Sequence, residues 1–287
     1  MRTFGKMGLI CAGLVLTWSA AYGQELQLSC PSPGNHRQLR RYSGYTVRLL
    51  PSPLRGYRCR AVVNLPPSKT GQTVSKTVAR DYALAVSNLS GTDINGDGKP
   101  ELIVQGYSGG AHCCYTYHII GLGPGLPVIR EIHNQVPISF VKREDGTVEL
   151  RTGDGVFDYF LLPHSDAVIP KVFLRLEGDQ LVDLSHEHLA EYDQQINQAR
   201  GELTPAELEK LKGSNYSQNM LFDQMPVAKK VLTIVLNYVY SGREQQAWQA
   251  LDDMWPPSDL SRVKNLILER RSRGLLGQVK EAPPAGS

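Results

Sequence analysis

The sequence predicts an α+β protein, with an antiparallel β domain of propeller-blade-like hairpins followed by a small helical C-terminal domain. Three observations predict it. Up to about Leu184, short runs rich in Val, Ile, Tyr and Leu alternate with clusters of Gly, Pro, Asn and Asp. Beyond it, apolar residues recur at helical spacing behind Ser and Thr caps. The chain of 287 residues is long enough for two modest domains.

The opening stretch "MRTFGKMGLICAGLVLTWSAAYGQ" places Arg2 and Lys6 before an apolar run from Met7 to Trp18, with the small residues Ala21 and Gly23 ahead of Gln24. This is the layout of a secretory signal peptide over 1–23, and it implies a periplasmic or secreted protein. The apolar run is shorter than the roughly 20 residues of a bilayer-spanning helix. Cys11 follows the bulky Ile10, which argues against a lipid-anchored leader. Residues 24–183 then form the β domain, 184–275 the helical domain, and 276–287, ending in "KEAPPAGS", a disordered tail. "VLTIVLNYVY" at 231–240 is too short to span a bilayer and contains Asn237, so it reads as a buried helix and no transmembrane anchor is expected. Formal charge is +3 for the whole chain and falls to +1 without Arg2 and Lys6. Near-neutral balance argues against nucleic-acid or general membrane-surface binding.

The expected strands are "YTVRLL", "YRCRAVV", "DYALAV", "ELIVQGY", "YTYHIIGL", "TVELRT", "DYFLL" and "VFLRL". Four cysteines lie past the leader: Cys30, Cys59, Cys113 and Cys114. In an exported protein an even number implies disulfides, and four cysteines allow three pairings. Cys30 with Cys59 beside a vicinal Cys113–Cys114 bridge is one; crossing the vicinal pair to Cys30 and Cys59 gives the other two.

The chemistry concentrates in "TDINGDGKPELIV", 92–104. Counting Asp93 as position one, side-chain oxygens fall at one, three and five on Asp93, Asn95 and Asp97, with a glycine at six. Calcium takes six to eight oxygens, and a chain curling round it presents alternate side chains inward. Gly98 supplies the sharp turn that lets Lys99 offer its backbone carbonyl with its ammonium toward solvent, and Glu101 completes the set. An EF-hand has a bidentate Glu at position twelve; here stands Val104, and a strand follows instead of a helix. The pattern resembles the Asp-rich calcium loops of FG-GAP and VCBS repeats, the integrin-α-type family, in which such a loop bridges two strands of a propeller blade. That resemblance implies Ca2+ held by Asp93, Asn95, Asp97, Lys99 through its carbonyl, and Glu101, in a bracing rather than catalytic role. It covers about a dozen residues well and only one copy of a repeat that usually occurs in tandem. "DGTVEL" at 145–150 echoes "DGKPEL" at 97–102, but Val141 and Arg143 stand where Asp93 and Asn95 stand in the first copy, so at most one copy can hold metal. Asp-Gly is also the commonest hairpin turn, and the echo alone does not separate repeat from coincidence.

Next comes "GYSGGAHCCYTYHIIGL", where Ser108, Gly109 and Gly110 read as the turn of a hairpin with arms Glu101–Tyr107 and Ala111–Ile120. Such segments after Asp-rich loops resemble those of uncharacterised bacterial exported proteins, which implies no activity. His112, Cys114 and His118 have the donor types for zinc or copper, and Cys113 or Cys114 beside His112 could form a reactive thiol. Disulfide bonding is the competing expectation, since no CxxC spacing is present.

In the C-terminal part, "TPAELEK" carries a capping box from Thr204 to Glu207 with Pro205 at the first helical position. "SGREQQAWQALDDMW" repeats the device with Ser241 and Glu244 and lines up Ala247, Trp248, Leu251 and Trp255. A last helix runs from about Ser258 to Arg273 with Leu260, Val263, Leu266 and Ile267 inward. "LNYVYSGREQQAWQALDDMWPP" resembles a single tetratricopeptide unit, a repeat that needs stacking partners. "SHEHLAEYD" superficially resembles a metalloprotease motif but spaces its histidines at i and i+2 rather than i and i+4, so a helix capped by Ser185 is expected. The basic clusters "NHRQLRR" and "LERRSR" read as solvated faces.

Function is expected to be non-catalytic: a calcium-binding structural or protein-interaction role at the cell envelope, with another envelope or extracellular protein as partner. The rival expectation is a secreted hydrolase or a thiol- or metal-dependent enzyme using His112, Cys113 and Cys114.

Overall fold

The structure is a computed structural model that describes residues 26–30, 39–67, 71–110, 114–219 and 221–279. The expected leader, His112, Cys113 and the tail beyond Val279 lie outside the described residues. A strand β1 (Leu26–Cys30) precedes three antiparallel meanders. The first comprises β2 (Leu39–Tyr42), β3 (Tyr45–Pro51), β4 (Cys59–Asn64) and β5 (Ser75–Asp81). The second comprises β6 (Ala83–Ser87), β7 (Glu101–Tyr107), β8 (Tyr115–Gly121) and β9 (Val128–Asn134), with β1 on the outer edge of β6. The third comprises β10 (Ser139–Lys142), β11 (Val148–Gly153), β12 (Lys171–Glu177) and β13 (Gln180–Asp183). Helices α1 (Leu189–Gly201), α2 (Pro205–Lys212), α3 (Tyr216–Asn219), α4 (Met225–Tyr240), α5 (Glu244–Met254) and α6 (Leu260–Arg273) follow. The α+β layout expected from composition is the one observed.

The middle sheet is buried on both faces along β6 and the first half of β7, and its period-two alternation decides which residue serves which core. Leu102 and Val104 of β7 and Ile120 of β8 join Val47, Leu49, Ala61 and Val63 of the first sheet. Ile103 and, on β8, Tyr117 and Ile119 point the opposite way, into a larger cluster with Phe140, Leu150 and Leu174 of the third sheet and Val231, Val235 and Leu251 of the helices. The composition change near Leu184 therefore marks a switch from strands to helices across which one core continues. The Cys30–Cys59 disulfide ties β1 to β4 and so fastens the first sheet to the middle one.

Several local expectations are corrected. "DYFLL" does not form a strand. Phe160 and Leu162 are buried and Tyr159 is exposed, as alternation requires, but Tyr159 and Leu161 have positive φ and the carbonyls of Val156 and Asp158 accept from Arg270 instead of a neighbouring strand. Thr204 and Glu207 form the capping box as expected. Ser241 does not cap α5, whose N-cap is Arg243; it ends α4 instead and its hydroxyl donates to the Tyr238 carbonyl. Ser185 starts a short 3-10 turn, and α1 begins after His188, which turns inward and stacks on Phe173. The tail is ordered at its start, where Leu276–Gln278 form a 3-10 turn and Val279 bridges Leu181.

Sheet and helices are locked by one buried carboxylate. Asp154, just after β11, accepts through Oδ2 from the Tyr240 hydroxyl at 2.8 Å and from the Leu275 N–H at 2.9 Å. Burial raises its carboxyl above the usual range, against the pull of Tyr240. The close approach demands a glycine at 274, since a Cβ there would lie 2.2 Å from Asp154 Oδ2. Tyr240→Phe keeps the edge contact with Phe157 but removes a donor from a buried carboxylate. It is expected to lower unfolding stability by about 1–3 kcal/mol in urea titrations, with the secondary structure unchanged.

Candidate functional site

The Asp-rich loop connects β6 to β7, the first hairpin of the middle meander. Its course is fixed at both ends. Thr92 and Glu101 bridge across the neck through the Glu101 N–H to Thr92 carbonyl bond of 2.9 Å, and Ile94 is inserted into the larger core. From the side, the Gly178 N–H in the β12–β13 turn donates to the Asn95 carbonyl at 2.9 Å, so the loop touches the third sheet as well. Gly96 and Gly98 both take positive φ, at 78° and 80°, which lets the chain curl tightly enough for side chains to turn back on it.

Asp93, Asp97 and Glu101 converge, each offering a carboxylate oxygen within 4.8 Å of the others. Asp93 accepts from the N–H groups of Gly96 and Gly98 at 2.7 and 2.8 Å, Asn95 Oδ1 from the Asp97 N–H at 3.2 Å, and Asp97 Oδ1 from the Lys99 N–H at 2.8 Å. The Lys99 ammonium stays exposed yet reaches Asp97 Oδ2 at 3.3 Å. Glu101 is the unusual member. Only 1% exposed, it accepts from the Ile94 N–H at 2.7 Å. Burial, with the nearby charges of Asp93 and Asp97, pushes its carboxyl up to about 7. An all-oxygen set with three carboxylates fits a hard divalent cation such as calcium, which would be held by Asp93, Asn95, Asp97 and Glu101, with the Lys99 carbonyl as the backbone donor in the expected pattern.

The "DGTVEL" echo occupies the matching place in the fold, the β10–β11 hairpin that opens the third meander. Gly146 takes φ 88° where Gly98 takes 80°. Asp145 Oδ1 accepts from the Thr147 N–H at 2.9 Å, as Asp97 does from Lys99. Glu149, the counterpart of Glu101, is likewise 1% exposed. The difference lies in the countercharge: Glu149 meets Arg151 Nε at 2.7 Å, His188 Nε2 at 3.1 Å and Arg143 Nη1 at 3.6 Å. Arg143, standing where the first loop has Asn95, also pairs with Glu187 at 2.7 Å.

Of the alternative site, His112 and Cys113 lie outside the described residues, and Cys114 and His118 stand apart. Cys114 precedes β8 and exchanges hydrogen bonds with Ser108; it is disulfide-bonded and carries no thiolate in this form. His118 Nδ1 faces Glu131 Oε1 at 2.7 Å, and four residues along an extended chain, about 13 Å, separate it from Cys114. The two cannot share one ion. His186 is exposed and His188 belongs to the Glu149 cluster, so the His-Glu-His triplet makes no common site. Cys114 does line a cleft of about 180 Å3 with His133, Asn134, Gln135, Arg273 and Asp154. His133 faces Thr116 there and Asp154 is fully buried in its lock, which leaves no assembled nucleophile and base among these residues.

The chain matches no protein-family model, no curated protein and no solved structure. Sequence reading located the loop; the burial of Glu101 it did not find, because the apolar run that signals a strand does not say that both faces of that strand are covered.

The pH dependence follows from Glu101. Its folded pKa of about 7 exceeds the ordinary 4.5, so its contribution to stability is complete below about 4.5 and is lost as pH rises through 7. In chelator, Glu101→Gln is expected to melt above the unsubstituted protein at pH 8 by roughly 2–5 °C, a gap that closes toward pH 5 in thermal scans.

Proposed function

We propose that the protein is an exported, calcium-dependent structural protein of the cell envelope, in which an ion in the Asp93–Glu101 loop braces the middle sheet against the third. The observation that carries this reading is the buried Glu101 carboxylate, set within 4.8 Å of Asp93 and Asp97 and, among the described residues, paired with no basic side chain. Its counterpart Glu149 shows what such a carboxylate otherwise requires, because two arginines and a histidine surround it. The resemblance to FG-GAP and VCBS loops supports the same ion, since the loop joins two neighbouring strands of a four-stranded meander. Among the described residues no helix is long and apolar enough to cross a membrane. The partner in this reading is another envelope or extracellular protein, held by surfaces that the braced loop positions.

Thermal unfolding in calcium and in chelator tests it. Binding to the native state alone stabilises by about 2.7 kcal/mol at a hundredfold excess over Kd, or roughly 5–10 °C for a protein of this size. Asp97→Ala is expected to abolish that rise. An equal melting temperature in calcium and chelator for the unsubstituted protein at pH 8 contradicts the proposal.

A further inference from the structure

Charge is segregated along the chain in a way that net charge conceals. Residues 26–80 contain ten Lys and Arg and no Asp or Glu, leaving 21 basic against 28 acidic residues elsewhere. The fold collects this excess on the first sheet. Its inner face, carrying Val47, Leu49, Cys59, Ala61, Val63 and Ala79, packs on the middle sheet. Its other face alternates out of phase with that set and carries Arg41, Arg48, Arg60 and Arg80. Arg60 stands directly opposite Arg80 in the ladder, a like-charge pairing that destabilises a sheet. Arg48 and Arg60 lie low, with their Nε atoms buried and without a hydrogen-bond partner. Among the described residues none of these four arginines pairs with an acid, whereas Arg143, Arg151, Arg175, Arg243, Arg262 and Arg271 all do.

The same region holds much of the exposed apolar surface. Leu39 of β2, Leu54 and Tyr57 in the β3–β4 turn, and Val74 beside β5 are all about half exposed, four of the ten exposed large hydrophobics among the described residues. Leu39 pairs with Arg48 and Leu50 with Arg60, so aliphatic and basic side chains interleave on one face. A single-stranded nucleic acid asks for a series of aromatic stacking platforms, and here, among the described residues, Tyr57 is the one aromatic beside Leu39, Leu54 and Val74. Basic groups mixed with protruding apolar side chains match a lipid interface, where cations meet anionic headgroups and apolar side chains enter the acyl boundary.

We propose that the outer face of the β2–β5 sheet is a docking surface for anionic phospholipid bilayers, with Arg41, Arg48, Arg60 and Arg80 on the headgroups and Leu54 and Tyr57 entering the interface. The near-neutral whole-chain charge, which argues against general membrane-surface binding, does not describe this face: the acidic remainder cancels the arginines in the sum but lies outside residues 26–80, which carry them.

Co-sedimentation of the full chain with phosphatidylglycerol–phosphatidylcholine vesicles, against pure phosphatidylcholine, reads this directly. Binding is expected only with the anionic lipid, falling as salt rises. Replacing all four arginines by Gln, which keeps the stems over the sheet, is expected to weaken it roughly several-hundredfold. Leu54→Ser with Tyr57→Ser is expected to weaken it about tenfold. Should the fourfold variant fail to fold, Arg41→Gln and Arg80→Gln, both at exposed positions, must each lower affinity about fivefold. Absence of binding, or binding that the arginine variants leave unchanged, overturns the proposal. So does equally tight binding of heparin or single-stranded DNA with no loss in the Leu54/Tyr57 variant, which reassigns the face to soluble polyanions.

Discussion

Burial of β7 on both faces is the constraint from which the other features follow, because it leaves residues 101–104 no solvent side on which to place a charge. Leu102 and Val104 serve one core while Ile103 serves the other, so a slip of one residue would exchange the contents of both. A carboxylate at the first position of β7 is consequently enclosed. Glu101 stands there because the loop above it turns back into the larger core through Ile94.

Two hairpins in equivalent positions face this problem and meet it differently. Each has an Asp-Gly turn with a positive-φ glycine and a buried glutamate four residues after the aspartate. In the third meander the protein supplies its own cations, Arg143 and Arg151, and His188 Nε2 reaches the same carboxylate. In the middle meander the added groups are acidic, which raises the energy of the ionised Glu101 unless a cation enters from solution. Under the proposed calcium reading, the two loops share one design, with a fixed countercharge in the third meander and an exchangeable one in the middle meander.

The helices are held to this framework by their apolar faces and, in addition, by Asp154. Its single carboxylate joins the end of β11 to the last residue of α4 and to the turn after α6, segments 86 and 121 residues away. Strands and helices thus share one core, and the loop, the arginine face and the helical layer are carried on a common frame.

The sequence by itself determined the α+β class, the break from strands to helices, the cation-loop pattern and the Thr204–Glu207 cap, because each rests on patterns within a few residues. Charge segregation over 26–80 was equally legible, although a whole-chain sum erases it. Only the tertiary structure decided that "DYFLL" is not a strand, that Cys30 pairs with Cys59, and that Glu101 is buried rather than exposed on a loop. The physical reason is common to all three. Alternation gives the direction in which a side chain points, while the ladder partner, the facing sulfur and the covering sheet come from segments tens of residues away.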